Sequence, residues 1–133
     1  MGLFRKRSRP VPKVDTPLGV FAFDHNWWVA EHQTPTGPIR ISVIGESFDP
    51  AVVPKVQHIL SDLERWSDDA LQHVRNNQPE SLQGNGDVTL EAADITDICR
   101  GGFNLGYGYT EWPDGTLTVV FKDGKPVDIW EDD

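Results

Sequence analysis

The side chains best equipped for chemistry in this 133-residue chain are four histidines, one cysteine and 21 carboxylates. His25, His32, His58 and His73 could ligate a metal or move a proton, but no two have the i, i+4 spacing of a helical zinc pair. His58 and His73 fall on one predicted helix, where their separation in sequence places them more than ~20 Å apart. The one cysteine, Cys99, can complete neither a structural zinc site nor an internal disulfide. Beside Ile98 at the start of a strand, it reads as a small packed residue rather than a nucleophile. Asn85-Gly86-Asp87 is too short to give calcium its oxygen ligands. The pairs Gly101-Gly102 and Gly84-Asn85-Gly86 lack the lysine and the strand-to-helix setting of a phosphate loop, and there is no Gly-x-Ser-x-Gly elbow. No catalytic residue, metal or cofactor is therefore expected, and the chain reads as non-enzymatic.

Charge says more than chemistry. The net charge is −9, yet Arg5, Lys6, Arg7, Arg9 and Lys13 lie in a segment without acids. The rest of the chain keeps 7 basic residues against 21 acids, a net of 7 − 21 = −14. Such a body repels nucleic acid phosphates and attracts a basic protein surface. The alternative, an acidic surface that serves solubility alone, stays open. No apolar run approaches the ~20 residues of a membrane span, and no apolar segment follows the basic N-terminus as a secretory signal requires. A cytoplasmic location is expected.

These features need a frame. Residues 1–14, with Pro10 and Pro12 and no periodicity, read as a disordered basic tail, and 15–133 as one domain. Strand patterns cover 18–23, 27–32 and 39–44, the last alternating Ile39, Ile41 and Val43 against Arg40 and Ser42. Asp49-Pro50 is a helix start. From Val52 to Val74 the apolar residues step by three and four, which predicts one helix over about 51–76, about 40 Å long. Residues 79–87 read as a loop and 89–94 as a short helix. Phe103 to Tyr109 sets four bulky side chains against Asn104, Gly106 and Gly108, a bare face that suits a concave surface. Residues 117–121 and 127–130 flank Asp123-Gly124, a hairpin signal. The fold class expected is α+β: an antiparallel sheet of five or six strands with one long helix on one face.

That frame singles out candidate contact residues. Trp27 and Trp28 are neighbours on a strand, so they point to opposite faces; one enters the core and the other is left on the outer face. Glu111, Trp112 and Asp114 cluster at a turn, and Trp130 lies on the last strand. Together these six form the expected partner-binding set. A second reading makes the chain a small-ligand binder or enzyme with a pocket at Asn104, Tyr107 and Tyr109, beside Glu111 and Asp114. A third makes the outer face a homodimer interface.

Leu18-Gly19-Val20-Phe21, Ile39 to Ile44 leading into the helix, and Leu117 through Asp123-Gly124-Lys125 resemble a loose group of uncharacterised bacterial α+β domains. The resemblance covers about residues 16–131. Some proteins similar to that group are thought to be immunity proteins of toxin systems. The resemblance implies a protein partner with a basic surface, and no catalytic residues.

Overall fold

The computed structural model describes residues 10–133; the basic segment 1–9 lies outside the described residues. Eight strands form one sheet in sequence order: β1 (Lys13–Thr16), β2 (Gly19–Asp24), β3 (Trp27–Thr34), β4 (Gly37–Ile44), β5 (Val88–Asp97), β6 (Gly102–Tyr109), β7 (Trp112–Lys122) and β8 (Lys125–Asp132). Every neighbouring pair is antiparallel except β4 and β5, which run parallel. A parallel pair cannot be joined by a hairpin. The connection carries helices α1 (Val53–Ser61) and α2 (Leu63–Asn77), so the chain is two four-stranded meanders seamed by one crossover.

Turn chemistry draws the hairpins. Thr16-Pro17-Leu18-Gly19 and Thr34-Pro35-Thr36-Gly37 close two of them in the same way. In each, the threonine hydroxyl donates to the glycine carbonyl (2.8 and 2.6 Å) and accepts the amide two residues on. Both glycines have positive φ. The pairs His25-Asn26 and Asp123-Gly124 hold both centres at positive φ, as two-residue turns between twisted strands require.

Both helices pack on one side of the sheet. Val53, Val56, Ile59, Leu63, Trp66, Ala70 and Val74 form a single buried stripe. It rests on two aromatic clusters. Trp28 meets Phe23 and Phe48 at one end (5.1 and 5.7 Å between centroids). At the other, Trp66 sets its edge against Phe103 and Phe121 (5.5 and 5.8 Å), themselves stacked at 4.6 Å. The Arg65 guanidinium caps the exposed side of Trp66 at 4.4 Å.

Several expectations are corrected. The sheet has eight strands and a parallel pair, in place of five or six antiparallel strands. The helix over 51–76 is broken at Asp62 (φ −112, ψ 19). There the Ser61 hydroxyl donates to the His58 carbonyl, and the Asp62 amide donates to Ile59 in a tightened turn. Short polar side chains competing for the helical backbone explain the break; because the apolar spacing runs through it unchanged, sequence periodicity does not reveal it. Asp49 does accept from an amide (Ala51, 2.9 Å), but in a short 3-10 turn, Pro50–Val52, ahead of α1. The segment 89–94 is strand β5, not helix. Its bulge between Leu90 and Ala92 breaks the two-residue period, and its Glu, Ala and Asp content imitates a helix. Lys13 and Val14, assigned on sequence to the tail, begin β1.

The second aromatic cluster anchors α2, so Trp66→Ala should destabilise the fold by about 3–5 kcal/mol. A urea denaturation curve followed by circular dichroism measures this, and a loss below ~1 kcal/mol would contradict the packing described.

Candidate functional site

The side of the sheet opposite the helices is uncovered among the described residues. Register aligns its side chains in rows. One row runs Glu31, Arg40, Ala92, Gly106, Thr118, Trp130 across β3 to β8. The next runs Lys13, Ala22, Val29, Ser42, Asp94, Asn104, Val120, Asp128 across all eight strands, about 34 Å at ~4.8 Å per strand. Trp27 and Ile44 pair beside these rows on the same face.

The two halves of this open face differ in character. Over β2–β4 it is apolar: Val20 and Ile44 are about half exposed, with Trp27 and Val29 partly exposed between them. A depression of about 320 Å³ lies there, lined by Val20, Val29, Glu31, Pro38 and Arg40. Over β5–β8 it is polar. A second depression, about 410 Å³, lies above Ala92 and Gly106, with Glu91, Asp94, Thr116 and Thr118 around it and Arg40 shared with the first. Gly108 continues this floor, and a β-carbon there would strike the Glu91 carboxylate, so Glu91 folds over β6. Carboxylates on this face (Asp15, Asp24, Glu31, Glu91, Asp94, Asp128, Asp132) outnumber its cations, Lys13, Arg40, Lys122 and Lys125.

Asp94 is the most constrained of these acids. Burial pushes its carboxyl above the ordinary 3.8, while the Arg40 guanidinium and the Ser42 hydroxyl pull it down. The Arg40 contact is long, 3.7 Å, and Arg40 is 59% exposed. The net upward direction means that solvation lost on folding outweighs these compensations.

The six expected partner-binding residues separate. Trp130 is on the open face, 53% exposed, its indole N–H donating to Asp128 (3.0 Å). Trp27 is on the same face five strands away, about 24 Å. Trp28 is buried in the core, with no protein acceptor for its indole N–H, and cannot meet a partner. Trp112 belongs to the helix side: it stacks on Tyr109 (5.4 Å) and lies against Gly115, where a β-carbon would enter its ring. Glu111 and Asp114 are exposed around the β6–β7 hairpin. In the alternative ligand set, only Asn104 is on the open face. Tyr107 and Tyr109 are buried on the helix side, where Tyr107 shares a hydrogen bond with Ser67 (2.8 Å) and Tyr109 donates to Glu131 (3.0 Å). Cys99, expected to be packed, is exposed in a 3-10 turn.

Sequence reasoning missed Arg40, Glu91, Asp94, Thr116 and Thr118 as a group. Arg40 was visible as the polar member of a clean alternation; Asp94 and Glu91 were hidden by the helical reading of β5. Among the described residues, no group of three or more His, Cys, Asp or Glu side chains is placed to hold a metal ion. No described helix is long and apolar enough to cross a membrane. No family model matches the chain, and neither a curated protein nor a solved structure does.

Two pH effects follow from these environments. Tyr107 is pushed up to about 12 by burial, and burial together with Glu131 also raises Tyr109. A phenol held above its unfolded value of ~10 contributes stability that is complete below pH ~10 and lost as pH rises through ~12, roughly 2–3 kcal/mol for Tyr107. Absorbance at tyrosinate wavelengths should stay flat through pH ~10 while the chain is folded; a normal titration there would contradict the burial. For Asp94 the folded state likewise favours the protonated form, so its contribution is present in acid and lost as pH rises through the folded value. Asp94→Asn should leave the protein at least as stable as the parent at neutral pH, with the difference shrinking as pH falls. Urea midpoints at several pH values test this, and a large loss at neutral pH would show that the ion pair is net stabilising.

Proposed function

We propose that this protein acts by binding another protein through the open face of its sheet, as a cytoplasmic, non-enzymatic domain whose partner carries a basic surface. Its concrete form is an immunity-type inhibitor, with the acidic face seated where a toxin's substrate belongs. The observation that carries this reading is the composition of a face that nothing described covers. It keeps Val20, Ile44 and Trp130 half exposed. Its seven carboxylates named above outnumber its four cations by 7 − 4 = 3. Apolar side chains in reach of one another on a flat surface favour association, and an excess of one charge selects and steers the partner. Nucleic acid is disfavoured on the same ground.

One observation favours the small-ligand reading: a depression does lie over the bare strand β6. Tyr107 is among its lining residues, but its ring is buried on the helix side, and the polar groups around the depression are those of Arg40, Glu91, Asp94, Thr116 and Thr118. The homodimer reading is separated by sedimentation of the purified chain at micromolar concentration, where a monomer ends it.

The reading is tested with the product of the neighbouring gene, purified and titrated against this protein. Ile44→Ser and Trp130→Ala should each weaken the complex by about tenfold, ~1.4 kcal/mol, without lowering the thermal midpoint. Added salt should slow association. A complex indifferent to both substitutions and to salt would place the interface elsewhere.

A further inference from the structure

The depression over β6 is more than part of a charged surface. Its floor is the backbone of Gly106 beside the buried Ala92, while the Glu91 carboxylate fills the space over Gly108. On one wall, Glu91 lies over Gly108 and Asp94 reaches Arg40 at 3.7 Å, beyond the range of a close charge-assisted hydrogen bond. On the other wall are the Thr116 and Thr118 hydroxyls. Thr118 pairs with Trp130 on the neighbouring strand, an exposed indole whose N–H donates to Asp128. Glycine at 106 is not required by the backbone. Its φ is not positive, and a β-carbon there would meet Ala92 at 3.5 Å, an ordinary contact. Yet glycine in a central strand weakens it. A bare floor at Gly106, the Glu91 and Asp94 carboxylates and two threonine hydroxyls together fit one shape and charge: a flat cation on an aliphatic stem.

We propose that this trough receives a single arginine side chain of the protein partner, with its stem over Gly106 and its guanidinium held by Glu91. The proposal rests on the protein-binding reading and names the contact that makes it selective. A planar fork can donate two parallel N–H groups to the Glu91 carboxylate, which an ammonium cannot do equally well. Asp94 is engaged by Arg40, so Glu91 is the carboxylate free to pair.

The test is an amide-resolved NMR titration of the labelled protein with a tetra-arginine peptide, using a tetra-citrulline peptide as the uncharged isostere. The arginine peptide should shift the amides of Gly106, Gly108, Thr116 and Thr118, and the citrulline peptide should not. Glu91→Gln should weaken binding by about tenfold. Gly106→Val, which suits a strand and fills the floor, should abolish those shifts while the chain stays folded. Shifts on the open face that avoid the trough and ignore Gly106→Val would overturn this inference and leave the wider reading standing. Silence of the whole open face, with no complex formed by the neighbouring gene product, would remove both.

Discussion

One parallel joint governs this molecule. Seven strand pairings hold the sheet together, and six of them are antiparallel and closed by short connections. Hairpins leave no chain to spare. Only the link between β4 and β5 is long enough to carry helices, and it returns to the sheet on one side. Everything with an apolar stripe is therefore spent on a single face. The aromatic clusters around Trp28 and Trp66 mark where the two helical pieces land, and among the described residues the topology provides nothing to cover the reverse face.

The exposed face is organised by what its centre lacks. Side chains in mid-sheet normally fill the space between their neighbours, but Gly106 and Gly108 leave theirs vacant, and Glu91 leans into it. Asp94 is carried there against its solvation preference, a small stability debt of the kind common at binding surfaces. Its one countercharge, Arg40, stands between an aliphatic hollow and an acidic one. The face thus combines greasy contact area and selective charge side by side, a division often seen within protein interfaces.

Much of the sheet was legible in the sequence. Alternation over Ile39 to Val43 and Phe103 to Tyr109 gives β4 and β6 with the correct faces, and Asp123-Gly124 gives the last turn. What failed has particular causes. The four-residue β1 follows two prolines and a basic run, so composition masks it. In β5 the bulge beside Glu91 places Leu90 and Ala93 on one face three residues apart, which imitates helical spacing. The break at Asp62 leaves the buried stripe in register and so leaves no trace in periodicity. The candidate site suffered most from the β5 error. Once 88–97 is a strand, Glu91 and Asp94 join Arg40 on one surface; read as a helix, they are unrelated acids. Trp27 and Trp28 were correctly divided between faces by adjacency alone, but which of the two enters the core depends on the register with Val43 and Ile44.

The two-meander plan also sets an order of assembly. Each half consists of neighbours in sequence, so its hairpins can form within microseconds of collapse. The seam joins Arg40 to Ala92, 52 residues apart, and loop closure of that length wins back its entropy only when the helices dock at the same time. The halves therefore resemble two foldons hinged on one ladder of hydrogen bonds. Damage to that ladder would leave each half with a raw strand edge, open to the complementary half of another molecule, and domain exchange between copies is the misassembly this architecture invites.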